Sequence, residues 1–214
     1  MNFNKEKISK IFWNVFNSFV WLAVLLLIID FVSKQIVLNN MTEGENIWLI
    51  PNFLSINYVV NDGMAFGIDF RENPVLNRVM FVVISIIGAC ILIPIYVVNY
   101  KKNNKLVKAA LMLMISGCLG NLIDRAFYSA SYLGTTTNGV VDFIGFTFGS
   151  YDFPRFNVAD SCLVIGTGLL IIYLLVLEFK EIKNKKETAP KTTEKMVSKD
   201  EQIIENYETE KKDD

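Results

Sequence analysis

The 214-residue sequence predicts an α-helical integral membrane protein, with four transmembrane helices, a small extracytoplasmic β platform and an interfacial loop. Three observations predict it. The chain is 52% hydrophobic with a mean hydropathy of +0.34, more apolar than an ordinary soluble domain. Its apolar residues collect in four runs close to the ~20 residues that a helix needs to cross a bilayer. Charge is sparse in those runs and falls near their ends, and residues 178–214 alone carry 9 Lys and 11 Asp or Glu.

The first run extends from about Ile11 to Leu38, with no charge between Ile11 and Ile29. Lys5, Lys7 and Lys10 precede it, as in a secretory signal peptide, but no small-x-small cleavage pattern follows, so an uncleaved helix is expected. The second run, about Leu76 to Tyr100, is uncharged from Val79 onward. The third, about Leu106 to Ala126, takes Asp124 and Arg125 into its end, and the fourth, about Asn157 to Phe179, opens with Asp160 near its first turn. Four Lys lie between the second and third runs and nine follow the fourth. By the positive-inside rule both termini and that short loop are cytoplasmic, leaving segments of about 39–75 and 127–156 outside.

In the first outer segment, Ile47–Phe53 and Leu54–Val60 are apolar, β-branched runs broken by Pro51 and Asn52, which predicts short strands or a hairpin. In the second, Ser129–Phe156 mixes aromatic residues with Gly and Thr, which predicts a loop lying on the bilayer. Residues 1–179 then form the membrane domain. Residues 180–214 form a charged cytoplasmic tail, disordered or loosely helical, with no assigned chemistry.

Composition narrows the chemistry. There is no histidine, which removes His-based acid–base catalysis, Ser-His and Cys-His nucleophiles and the commonest metal ligand. Cys90, Cys118 and Cys162 sit in apolar runs without CxxC spacing and read as packing residues. A net charge of −1 without a large basic patch argues against a nucleic-acid partner. Neither a metal nor a cofactor is expected.

The remaining ionisable residues gather at one depth. Asp30 and Lys34 fall at the outer end of the first span, Asp124 and Arg125 at the outer end of the third, Asp142 just beyond, and Asp160 at the outer start of the fourth. Intramembrane charges cost about 2.5–3.5 kcal/mol each on insertion scales, so each needs a reason. Asp30 and Lys34 have the spacing of a helical ion pair. Asn121 lies four residues before Arg125 and shares its face, and Asn57, Asn61 and Asn157 add amides near the same level. Asp142 and Asp160 have no cation at helical spacing. Two carboxylates brought close share a proton: the ionised one can deprotonate water while the protonated one donates to a peptide carbonyl. Spacing alone does not join residues 18 apart; a fold must do so.

The motifs resemble the lipoprotein signal peptidases, or type II signal peptidases. Five stretches carry the resemblance in order: Asp30-Phe-Val-Ser-Lys34; Asn61-Asp-Gly63-Met-Ala65-Phe66-Gly67; Gly120-Asn121-Leu-Ile-Asp124-Arg125; Val140-Val-Asp142-Phe; and Phe156-Asn157-Val-Ala159-Asp160-Ser. The resemblance implies an aspartic endopeptidase with Asp142 and Asp160 as catalytic dyad. Asn61, Gly63, Asn121, Arg125 and Asn157 would line the substrate pocket, with Asp30, Lys34 and Asp124 supporting it. It implies as substrate a prolipoprotein whose cysteine carries a diacylglyceryl group, cut just before that cysteine, at the outer face of the cell membrane. Membrane lipid and globomycin-type inhibitors are the other implied partners, and a monomer is expected. Ser116-Gly117 stands where the family commonly has Gly-Gly, which slightly weakens the expectation of very close helix packing there, and the tail is longer than the family core requires.

Three other readings use the same residues. A transporter would use intramembrane Asp, Lys and Arg as an ion path, but these charges sit at one level and no inverted repeat is visible. A metal enzyme would use Asp124, Asp142 and Asp160 as oxygen ligands. A Ser/Lys peptidase would use Ser33 and Lys34, whose directions on a helix differ by roughly 100°.

Overall fold

The computed structural model describes residues 5–61, 74–127 and 139–188. The chain divides into two units, Met1–Tyr173 and Leu174–Asp214. Helix α1 (Lys5–Ser18) leads into α2 (Val20–Asn40), followed by strands β1 (Asn46–Ile50) and β2 (Leu54–Asn61), then α3 (Pro74–Val98) and α4 (Lys105–Phe127). Strands β3 (Val140–Phe148) and β4 (Tyr151–Asp152) precede α5 (Val158–Thr188). Among the described residues four helices are long and apolar enough to cross a membrane: Val20–Asn40, Arg78–Val98, Lys105–Phe127 and Val158–Lys185.

The first apolar run is not the single helix expected over Ile11–Leu38. Phe19 adopts a left-handed conformation, with φ of 58°, and divides α1 from α2. Ser18 stabilises the break: its hydroxyl donates to the Val15 carbonyl at 2.6 Å and accepts the Val20 N–H at 3.3 Å, replacing bonds the helix has lost. Tyr96 of α3 donates to the freed Ser18 carbonyl at 2.5 Å. The spanning helix therefore starts at Val20. Helix α1 exposes Phe12, Trp13 and Phe16 alongside Lys7 and Lys10, the composition of a helix that lies at a bilayer surface.

At the end of the bundle near this break, Ala23, Tyr96, Val107, Leu111, Met112 and Ile115 form an apolar core between α2, α3 and α4. Much of the remaining helix surface is exposed Ile, Val and Leu, as lipid-facing helices require. Close approach of α4 to α5 depends on glycine. A Cβ on Gly117 would lie 2.4 Å from the Ala159 carbonyl oxygen, and one on Gly120 would lie 2.9 Å from both the Ala159 Cβ and an Asp30 carboxylate oxygen. The close packing that Ser116-Gly117 made less expected is thus present. One small residue at 117 is sufficient, and Ser116 turns its hydroxyl back to the Leu113 carbonyl at 2.8 Å.

The β platform is a four-stranded antiparallel sheet in the order β1-β2-β3-β4. Strands β1 and β2 fall where the apolar runs predict them. The second outer segment differs from its expectation as a loop: residues 140–148 form β3, paired to β2 with Val59 opposite Asp142 and Asn61 opposite Val140. Its β-branched and aromatic residues explain the strand, and the glycines around it masked that signal. On one face Val141 and Phe143 pack with Tyr58 against Val37 near the end of α2. Asp142, opposite Val59, belongs to the other face, and the β2–β3 pairing shifts register between it and Phe146, which lies opposite Leu54.

Candidate active site

The site forms where β3 meets the start of α5. Asn157 caps α5: its Oδ1 accepts the Asp160 N–H at 2.9 Å, while Asp160 Oδ2 accepts the Asn157 N–H at 3.2 Å. This reciprocal box satisfies two donors at the helix start, and the N-terminal end of the helix dipole favours a carboxylate there. A third donor, the Ala159 N–H, is taken by Asp30 Oδ1 at 2.8 Å. Asp30 Oδ2 in turn accepts from Lys34 Nζ at 2.6 Å, and Lys34 also pairs with Asp124 at 2.5 Å. Asp30, Lys34 and Asp124 are all buried, so α2, α4 and α5 are joined at one level by a single cation between two carboxylates.

Asn157 is also the centre of an amide chain. Its Nδ2 donates to Asp142 Oδ1 at 2.7 Å and to Asn121 Oδ1 at 3.3 Å; Asn121 Nδ2 donates to Asp160 Oδ1 at 2.7 Å. The other Asp142 oxygen accepts from Asn61 Nδ2 at 2.8 Å, a diagonal contact set by the β2–β3 register. The fold thus brings Asp142 and Asp160 into one hydrogen-bonded group. Asp142 is 2% exposed and Asn157 fully buried, whereas Asp160 is half-buried. Among the described residues neither aspartate is ion-paired. Burial, reinforced by the negative charge of Asp160, pushes the Asp142 carboxyl up to about 7, against the opposing pull of its bonds to Asn61 and Asn157.

Both aspartates line a cavity of about 600 Å³ whose walls include Phe81, Ile84 and Met80 of α3, Asn121 and Arg125 of α4, and Leu163 and Val164 of α5. Arg125 lies over the Phe81 ring, 4.4 Å from its centroid, and the carbonyls of Arg125 and Ala126 accept from Arg78 at 2.7 and 3.0 Å. Of the residues singled out in the sequence, Asp142, Asp160, Asn61, Asn121, Arg125 and Asn157 meet at this cavity or its hydrogen bonds. Asp30, Lys34 and Asp124 lie behind it. Gly63, with Ala65 and Phe66, lies outside the described residues. Asn57 is elsewhere in the sheet, donating to Ser55 Oγ at 2.8 Å. Arg155, also on the cavity wall, was missed; its place just before the α5 cap was the available signal. Ser33 donates to the Asp30 carbonyl at 2.9 Å and Lys34 is held by two carboxylates, which leaves no Ser/Lys pair.

The fold and site define a polytopic membrane protein with two neighbouring carboxylates in a cavity among its spans. The family model for signal peptidase (SPase) II matches residues 22–176. Lipoprotein signal peptidases of Symbiobacterium thermophilum and Staphylococcus aureus (strain bovine RF122 / ET3-1) are 35% and 37% identical, covering 74% and 78% of this chain and 95% and 91% of theirs. That of Clostridium tetani is 38% identical over 72% of this chain and 90% of its own. A solved bacterial membrane enzyme, determined by the in meso method at 2.3 Å resolution, is 37% identical and superposes with a TM-score of 0.61 over 80% of this chain and 93% of its own. The chain belongs to the signal peptidase II family. Membership makes it a membrane protease of the family that removes signal peptides from lipoproteins.

Proposed function

We propose that the protein is an aspartic endopeptidase that cuts diacylglyceryl-modified prolipoproteins just before the lipidated cysteine, with Asp142 and Asp160 as its catalytic pair. One observation carries this reading: two aspartates linked through asparagine amides, without a bound cation, face a cavity at one end of the spanning helices. Amides can bond a carboxyl in either protonation state, whereas a lysine would hold it ionised. The pair therefore keeps one proton to use.

Asp142, nearly enclosed and with its carboxyl pushed up to about 7 by burial, is the acid; half-buried Asp160 is the base. Asp160 takes a proton from water, whose oxygen attacks the scissile carbonyl carbon while Asp142 donates to the carbonyl oxygen. When the gem-diol collapses, Asp142 recovers that proton, the C–N bond breaks and the proton on Asp160 passes to the leaving amine. The products are a signal peptide ending in a carboxyl and a lipoprotein beginning with the amine of its cysteine. Asn61, Asn121 and Asn157 orient the pair, Arg125 and Gly63 belong to the substrate pocket, and the Asp30–Lys34–Asp124 group fixes the start of α5. The protein works as a monomer in the cell membrane, with both termini cytoplasmic and the pair near the outer face. The 16 Lys and Arg on the inner side support this orientation. Globomycin-type inhibitors would occupy the cavity.

The test is cleavage of a lipidated prolipoprotein by the purified full chain in detergent, with the product mass locating the cut. Asp142→Asn and Asp160→Asn should each lower turnover by roughly 10²–10⁴-fold, the usual weight of a general acid or base. A wild-type protein inert on lipidated substrates, or fully active variants, would refute the proposal.

A further inference from the structure

A second concavity adjoins the first. A groove of about 430 Å³ runs between the end of β3 and the first turns of α5, walled by Phe146, Phe148, Phe153, Phe156, Val164 and Ile165, with Asp160 and Ser161 completing its lining. Asp160 and Val164 also line the larger cavity, so the groove adjoins the aspartate pair. Its aromatic wall is preformed: Phe146 stacks on Phe156 at 6.0 Å and on Phe148 at 6.2 Å, and Phe153 meets Phe156 edge-on at 6.0 Å. Phe148 and Val164 are nevertheless 55% and 72% exposed. A concave apolar surface of this kind, beside a polar centre, is a binding feature rather than packing.

We propose that this groove receives an acyl chain of the substrate's diacylglyceryl group and makes the enzyme select substrates by chain length. The proposal rests on the peptidase reading above. If the lipidated cysteine follows the scissile bond, its acyl chains must leave from the reacting carboxylates, and the groove starts there. The lining suits hydrocarbon and not peptide. Among the described residues it offers no polar side chain beyond Asp160 and Ser161, so the N–H and C=O groups of a peptide segment would go unpaired, whereas an acyl chain has none to satisfy. The dimension also fits. Phe146 and Phe148 follow Asp142 along β3, four and six residues on, or about 13–20 Å at the rise of a strand, a distance that a long chain spans and a short one does not. Stacked rings need no ordering on binding, so each methylene buried adds affinity directly.

The experiment compares kcat/KM for one prolipoprotein peptide carrying either two hexadecanoyl or two hexanoyl chains, cleaved by the full chain in the same detergent. The wild type is set beside Ile165→Trp, which fills the groove, and Phe148→Ala, which removes part of its wall, each checked for a cooperative melt. The long-chain substrate should be preferred by the wild type, chiefly through KM. Detergent partitioning alone also favours long chains, so the informative quantity is the change in that ratio. At least one folded variant should lower it by about fivefold or more, as expected for losing the burial of one or two methylenes. Long and short substrates slowing together, as they would if the groove held signal-peptide side chains, would overturn the proposal. So would an unchanged ratio, as would follow if the groove held a bulk lipid chain. A wild type that cleaves neither substrate would refute the peptidase reading and this inference together, whereas an active wild type with a constant ratio refutes the groove alone.

Discussion

Two pairs of aspartates lie close together at one end of the bundle, and their partners differ. Asp30 and Asp124 share a lysine; Asp142 and Asp160 share asparagines. Lys34 bridges the two carboxylates of the first pair, which makes a strut. The second pair is bonded by neutral amides that tolerate either protonation state, which suits the proposed exchange of a proton. Burial alone does not separate them, since Asp30 and Asp142 are 3% and 2% exposed. The partner sets the role.

The comparison breaks most severely at Lys34. Lys34→Met leaves two buried carboxylates without their cation, and removal of one member of a buried ionic group costs about 3–5 kcal/mol. Thermal unfolding in detergent should show a large drop in Tm, and an unchanged Tm would mean that the group is not a strut. Gly120→Ala comes next, because its Cβ would meet the Asp30 carboxylate and Ala159 at 2.9 Å. Overpacking of this kind costs about 1–3 kcal/mol, visible in the same melt, and a neutral result would show that α4 and α5 have room to separate.

Smaller effects sharpen the second pair. Asn61→Ala removes a bond that favours ionised Asp142, so its carboxyl should rise further and the alkaline fall in cleavage should move to higher pH. Turnover should drop by about tenfold, the worth of one hydrogen bond to a charged group. A pH–rate profile identical to wild type would contradict the assigned contact. In the wild type, cleavage should decline as pH rises through about 7, where Asp142 loses its proton. Stability follows the same sign: between the ordinary 3.8 and about 7 the folded state holds a proton that the unfolded state releases, so stability falls with rising pH in that window.

The strut was partly legible in the sequence, because Asp30 and Lys34 have helical spacing, but the third member, Asp124, lies on another helix and no local pattern joins it. The pair at 142 and 160 was visible as carboxylates without nearby cations, and only the resemblance joined them before the fold did. The Asn157 cap that sits between them depends on where α5 starts, a boundary that hydropathy places only to within a few residues. Strand β3 was missed because Gly139, Gly145 and Gly149 punctuate it, and the aromatic groove followed it out of view, since Phe146 and Phe148 of its wall belong to that strand. The break at Phe19 has no sequence marker of the usual kind, being neither Gly nor Pro.

The most direct test of the difference between the two pairs measures cleavage per folded molecule and Tm together for Asp142→Asn, Asp160→Asn, Asp30→Asn and Asp124→Asn. The first two should lose roughly 10²–10⁴-fold in turnover with Tm near that of the wild type, while the last two lower Tm and keep turnover within about tenfold. If Asp30→Asn or Asp124→Asn abolishes cleavage in a stably folded protein while Asp142→Asn or Asp160→Asn does not, the roles assigned to the two pairs are wrong.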